Sequence, residues 1–434
     1  PAADYPAACI ALNATINTTG TFSPTISNVE SIYTTFSAGG TVSLENVTGA
    51  TLLSDTNSSN ASIYTNISDV TSLTLGVTGN AGNTTFTYTD AAIAGSSDSI
   101  SLNLSSAGST ITIAGVETID ISTSGGSSTL TALTATSAET LNITGSQDLS
   151  LGTLSTSVNA IAAGNFTGDL TATGTNTTAN TITAGSGNDT ISGAAGNDTL
   201  TGGAGNDSIT AAAGEDTISG GAGNDTIVMA GNLTSADTIT GGDGSDDFNY
   251  TFANTDSTQS KPDTITDFTT GSDEIRISYI AGKTAATFDY TNQGSASSVA
   301  DAIGLLSGAV GQYVFNTSTN QLLIDIDGNG LLQSGDTAIT LTGISALADA
   351  DIAFDITTLD VANNDATGFD TVTTGKGNDT VTSAVEADVI DTGATLVTGA
   401  GFNTVEAAKK FGVPDSQMLL VEGEVGILAA MKAG

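Results

Sequence analysis

From residue 184 the chain is ruled at nine-residue intervals: AGSGNDTIS, GAAGNDTLT, GGAGNDSIT, AAAGEDTIS and GGAGNDTIV follow one another without a gap. Asp189, Asp198, Asp207, Asp216 and Asp225 keep the step, and two residues after each comes Ile191, Leu200, Ile209, Ile218 or Ile227. The register opens one unit earlier at Asn180 and Ile182. After a twelve-residue step it resumes at Asp237 with Ile239, then at Asp246 with Phe248 in GGDGSDDFN. One such unit cannot stand alone. Ordering its backbone costs about 1–2 kcal/mol per residue, against the burial of a single apolar side chain. The chain is thereby confined to architectures in which each unit stacks on its neighbours.

The residue types give the stack its chemistry. Glycines at the first, second and fourth places permit positive φ, so the backbone turns tightly and presents carbonyls inward. Asp at the sixth place adds a carboxylate to the carbonyls near Gly187, Gly196, Gly205, Gly214 and Gly223. An all-oxygen donor set suits calcium, not zinc or copper. The Thr-Ile-Ser type triplet that follows is a short strand with one residue pointing inward. Carboxylates stacked at strand spacing repel, so folding is expected to be coupled to the ion. A polar turn repeat that binds nothing is the competing reading, but Asp is a poor choice for such a turn.

These units resemble the repeat-in-toxin (RTX) nonapeptide, which forms a parallel β-roll. The resemblance implies several Ca²⁺ ions held by Asp side chains and turn carbonyls of units two apart. The expected ligands are Asp189, Asp198, Asp207, Asp216, Asp225 and Asp246, joined by Asp237 beyond the longer step. Ala211, Ala212 and Ala213 replace glycines in one unit and weaken that turn as an ion site.

Residues 263–278, DTITDFTTGSDEIRIS, resemble the segment that caps the roll in many RTX proteins, with Phe268 and Ile275 as its core. Asp267 and Asp273 are possible further ligands there. A helical stretch is expected near Ser297–Leu306. Beyond it, Asp325, Asp327, Asn329 and Asp336 occupy places 1, 3, 5 and 12 of an EF-hand-like loop, with Gly330 at place 6. Place 12 is Asp instead of Glu and the flanks look like strands, so the alternatives are a calcium loop and a Gly-rich hairpin with solvated carboxylates. Asp370, Asp379 and Asp388 restart the nine-residue step in degenerate form, and only Gly375–Asp379 keeps the full turn chemistry. The last stretch carries three of the seven cations and an expected short helix at Thr404–Phe411. It reads equally as an uncleaved type I secretion signal or as a small docking element.

The chain up to Asn180 contains no Lys or Arg, and strand-like segments such as TVSLENV, ISLNLS and ITIAGVETIDIS recur in it. VESIY (29–33), VETID (116–120) and AETLN (138–142) share one pattern, a packed residue after a Glu-Ser/Thr pair. Both a β-helix and a β-sandwich fit these segments. The organisation expected is all-β: a Thr/Ser/Asn-rich assembly region (1–172), a nonapeptide β-roll (173–250), a capping region with a short helix (251–350), and a degenerate second repeat block with the tail (351–434).

Composition removes several functions. Without His there is no Ser-His-Asp or Cys-His nucleophile and no His-bound zinc. The balance of 7 Lys plus Arg against 46 Asp plus Glu gives a net charge of −39. The first cation is Lys261, which argues against a nucleic-acid partner. No apolar run of about 18 residues exists to span a membrane as a helix. Cys9 alone supports no internal disulfide. Pro1 in place of an initiator Met points to a processed or truncated chain. A glycosidase needs only two carboxylates, yet the expectation is a non-enzyme. RTX-bearing surface-layer (S-layer) proteins of Gram-negative bacteria resemble the chain in composition and rungs. That resemblance implies an extracellular protein whose partner is itself, in a calcium-dependent layer, sheath or filament. An RTX adhesin or biofilm-matrix protein that binds a surface or a glycan is the alternative.

Overall fold

A computed structural model of the chain describes residues 11–356, except 80–81, 176–178, 230–234, 253–260, 280–287, 290–291, 308–310, 326–328 and 333–335, with isolated strands further on. Two compact units divide it, Pro1–Ile209 and Thr210–Gly434.

The first unit is a parallel β-solenoid, which decides between the β-helix and the sandwich. Strands Ala11–Ile16, Ser31–Phe36, Leu52–Thr56, Thr74–Thr78, Ser99–Ser105, Thr118–Thr123 and Thr140–Gly145 pair in sequence, all parallel. Ala160–Phe166, Thr181–Thr183 and Thr199–Ala204 extend the same ladder into the repeats. A second ladder runs from Thr21–Phe22 to Thr153–Leu154. A third links Ser128–Thr129, Leu149–Ser150, Leu170–Thr173 and Thr190–Ser192. Alternation along each strand aims every second residue inward, and Ile32, Leu53, Leu75, Leu102, Ile121 and Ile143 form one buried column in register. VETID and AETLN lie on adjacent rungs, Ile119 opposite Leu141. From there Leu141 pairs with Ile161, Ile161 with Ile182 and Ile182 with Leu200. The coil thus tightens to two nonapeptides as the repeats begin.

Phe36 meets Tyr64 edge-on at 5.9 Å, and Tyr64 stacks on Phe86 at 5.1 Å, inside the early coils. Beside them sits the buried carboxylate of Asp55, bonded by the hydroxyls of Ser58 and Thr84, the latter at 2.7 Å.

The second unit repeats the scheme. Thr217–Ala222, Thr238–Asp243, Asp263–Ile265 and Thr337–Leu341 form one parallel ladder. Thr226–Met229, Asp247–Phe252, Glu274–Tyr279 and Ile352–Ile356 form another. Residues 263–278 therefore add a further coil to these ladders. Phe268 and Ile275 are buried as expected, with Phe268 6.1 Å from the ring of Phe248. The helix is short, Val299–Ile303, and is capped by the Ser298 hydroxyl accepting from the Asp301 N–H. It packs on the antiparallel strands Tyr313–Asn316, Gln321–Ile324 and Thr337–Leu341 through Ala302, Val314, Leu323 and Ala338.

Candidate metal centre

Stacking turns the sixth-place Asp residues into ladders of buried carboxylates within each unit. In the first unit, Asp198 Oδ1 accepts from the Asn180 N–H at 2.6 Å, Asp189 Oδ1 from the Leu170 N–H at 2.7 Å and Asp207 Oδ1 from the Asp189 N–H at 2.7 Å. In the second, Asp237 Oδ1 accepts from the Asp216 N–H at 2.7 Å and Asp263 Oδ1 from the Asp237 N–H at 2.9 Å on one ladder, and Asp246 Oδ1 from the Asp225 N–H at 2.9 Å and Asp273 Oδ1 from the Asp246 N–H at 3.1 Å on the other. Each rung's carboxylate thus reaches back to the backbone of the coil before it. The fifth-place Asn side chains bond the opposite way: Asn188 Oδ1 accepts from the Asn206 N–H at 2.8 Å, and Asn224 Oδ1 from the Ser245 N–H at 2.9 Å. Asp148 and Asp169 continue that outer column backwards, accepting from Asp169 and Asn188.

Glycine serves two separate purposes in these turns. At the second place Gly203, Gly221 and Gly242 take φ of 120°, 122° and 111°, and at the fourth place Gly196, Gly205, Gly214, Gly223 and Gly244 lie between 124° and 146°. The first place is different from the sequence expectation. Gly220 and Gly241 are not left-handed; they are glycine because the Asp side chain lies against the Cα. A methyl on Gly241 would overlap Asp246 Oδ2, and one on Gly220 would overlap Asp225 Oδ2 and lie 2.5 Å from the Gly241 carbonyl. Gly187 also lacks a positive φ and is pressed on the Gly168 carbonyl instead. Ala194 and Ala212 hold the second place at φ 90° and 72°, a strained conformation for an L-residue.

The electrostatics favour a cation. Asp246 is 1% exposed and its Oδ2 receives no hydrogen bond. The same oxygen is buried in Asp198, Asp207, Asp216 and Asp225. Desolvation pushes Asp237 and Asp246 up to about 6 and Asp263 up to about 7, despite N–H donors that pull the other way. Asp189 and Asp273 are raised for the same reason. Among the described residues, ion pairs join Lys261 to Glu215, and Arg276 to Glu274 and Asp247; these carboxylates stand off the ladders. No three acidic side chains converge among the described residues. An ion bound here takes one or two carboxylate oxygens and completes its shell with turn carbonyls, which is calcium's donor preference.

Asp263 and Asp273 complete the ladders. Asp263 is hidden from the spacing, because the chain between Phe252 and Asp263 breaks the nine-residue step. The triplet Asp263-Thr264-Ile265, identical to Asp237-Thr238-Ile239, is the signal that marks it. Asp267 is not on a ladder: its two oxygens accept from the Gly241 and Gly242 N–H groups at 3.0 and 2.9 Å. In the EF-hand-like loop, Asp325 and Asp336 are buried at the ends of the hairpin strands. Asp325 Oδ2 accepts from the Gly330 N–H at 2.9 Å, and Asn329 Oδ1 from the Leu331 N–H at 2.7 Å. Asp327, Asp370, Asp379, Asp388 and the tail helix at 404–411 lie outside the described residues.

The RTX calcium-binding nonapeptide repeat family matches the chain at residues 175–209, 192–227, 233–252 and 366–395. No curated protein matches it. The chain thus carries RTX repeats, which bind several calcium ions per array and mark a secreted calcium-binding protein. No helix among the described residues is long and apolar enough to cross a membrane.

Proposed function

We propose that this is a secreted structural protein that folds on extracellular calcium and self-assembles into a surface layer, sheath or filament. The ladder carboxylates beyond Asp189, from Asp198 to Asp273, with the turn carbonyls, are the sites that hold the ions; Asp189, expected as a ligand from the spacing, has an N–H donor on each oxygen instead. One observation supports assembly above the others. Outward strand positions in the repeats are mostly Thr or Ser, as in Thr181, Thr183, Thr199 and Thr201, and no cation precedes Lys261. Natural sheets keep Lys on exposed strands to discourage association; this chain does not. Calcium at millimolar concentration outside the cell fills weak sites that cytosolic levels leave empty, which delays ordering of the repeats until after export by a type I system.

Electron microscopy of the purified chain in a few millimolar calcium, and again after chelation, tests the assembly. Ordered sheets or filaments that dissolve on chelation are the expected result. Discrete particles in calcium would refute self-assembly and favour surface or glycan binding.

A further inference from the structure

The coils before the repeats and the repeats themselves differ in what holds them together. Residues 118–139 bury four large aliphatic side chains, Ile119, Ile121, Leu130 and Leu133, whereas residues 190–207 bury two, Ile191 and Leu200. Among the described residues before 180, Asp55 is the one fully buried acidic residue, and two hydroxyls bond it, while half-buried Asp98 also keeps its Oδ2 out of solvent. From Asp189 onward each nonapeptide brings another buried Asp. The early coils therefore have the larger apolar burial and little charge to compensate, while the later ones have the reverse.

At the joint between them protein donors reach the first repeat carboxylate. Asp189 is the first repeat carboxylate, and protein donors occupy both its oxygens: Leu170 N–H on Oδ1 at 2.7 Å and Gly185 N–H on Oδ2 at 3.1 Å. In return the Asn188 N–H donates to Asp169 Oδ1 at 2.7 Å. Strand register passes through without a break, Ala160 opposite Thr181 and Thr171 opposite Thr190. Asp246, by contrast, keeps a buried oxygen that no protein donor reaches.

We propose that the coils of residues 99–173 fold without calcium and act as the template on which the repeats add, with Asp189 as a joint satisfied by protein alone. Adding a coil to an existing edge orders about one repeat pair at a time and avoids nucleating a free stack. Calcium then drives ordering from Asp189 towards the C-terminal side. The inference rests on the calcium assignment of the deeper ladder carboxylates.

Hydrogen exchange on the full chain, read by mass spectrometry in chelator and in calcium, tests both layers separately. Amides of 99–173 are expected to stay protected in chelator, while those of 199–229 and 235–252 exchange freely until calcium is added. Loss of protection in 99–173 on chelation overturns the template. Protection of the repeats in chelator overturns the calcium assignment itself. For the joint, calcium stoichiometry of the full chain separates Asp189→Asn from Asp225→Asn: the first should bind as many ions as the wild type, the second at least one fewer. Loss of an ion in Asp189→Asn overturns the joint.

Discussion

Gly241→Ala probes the first-place glycine with a single methyl. That methyl would overlap Asp246 Oδ2 and stand 3.0 Å from Phe248 Cζ, an atom of a fully buried ring with nowhere to go. The carboxylate must retreat by about 1 Å to reach ordinary van der Waals separation. Retreat draws Asp246 Oδ1 away from the Asp225 N–H, 2.9 Å distant in the native turn, and leaves a buried donor unsatisfied. Such a donor costs about 1–3 kcal/mol, which at 1.4 kcal/mol per decade is about a 5- to 140-fold weaker turn. The ion held by Asp246 should be lost at calcium concentrations that still fill the others. Calorimetric titration would show this as one fewer ion, or as one site displaced to higher concentration. Gly164→Ala is the control, because its methyl would meet only Thr183 Cγ2, at 3.8 Å. Unchanged stoichiometry and affinity in Gly241→Ala would show that Asp246 Oδ2 is not a ligand and that the glycine serves the turn alone.

Replacing Asp198, Asp207 and Asp216 together with Asn should abolish the calcium-induced β signal of the roll in circular dichroism; a titration like that of the wild type would sink metal-coupled folding. Ala194→Gly with Ala212→Gly relieves two left-handed alanines, about 1–2 kcal/mol each, against roughly 0.4–1 kcal/mol each of added chain entropy. The calcium midpoint should fall slightly, and a rise would contradict the strain argument. Acidity should act oppositely on the two forms. Asp237 and Asp246, at about 6, and Asp263, at about 7, hold protons more tightly folded than unfolded. Their contribution to metal-free stability is full below the ordinary Asp value near 4 and is lost as pH rises through 6–7. Chelated protein should therefore gain β signal between pH 8 and pH 5.5, while calcium-loaded protein loses affinity as protons compete. A chelated chain equally disordered at both values would show that ladder repulsion is not what keeps it open.

The site was legible because its period is carried by side chains with one possible use. Asp189 to Asp225 stand out by their nine-residue step and Asp237 and Asp246 by its resumption twelve residues on, while the pairing of units two apart came from the resemblance to the RTX nonapeptide. What spacing could not show was direction: each Oδ1 reaches back to the N–H one coil earlier, so one oxygen of the carboxylate is already engaged before any ion arrives. The role of first-place glycine was misjudged for a related reason. Conformational freedom and close approach leave the same letter in a sequence, and only the position of Asp246 Oδ2 against Gly241 separates them. Ahead of Asn180 the coil length drifts from rung to rung, as the pairs Ile119 with Leu141, Leu141 with Ile161 and Ile161 with Ile182 show, so no fixed ruler runs through it. The shared VETID and AETLN rungs were visible, and their offset was the length of one coil of the solenoid. Asp263 was hidden because the sequence between Phe252 and Asp263 breaks the nine-residue step, and the length of a connection does not fix which rung the next strand joins.

The scarcity of cations follows from this geometry. A Lys or Arg able to neutralise the ladders would have to project from the turn itself, from the first place where carboxylate and carbonyl converge. At Gly220 and Gly241 even a methyl does not fit. Side chains on the strands cannot substitute, because inward positions are filled by Ile, Leu and Phe and outward positions face solvent. The counter-charge must be an atom without a tether, one that accepts carbonyl oxygens as readily as carboxylates. That requirement excludes the protein's own cations and makes the roll depend on its surroundings. Within such a stack an added basic residue on an outer Asn position, such as Asn206→Lys, would screen exposed Asp but could not reach the buried oxygen of Asp246. Calcium dependence should survive such a substitution, and a roll that ordered in chelator after it would show that exposed charge, not the ladder, sets the requirement.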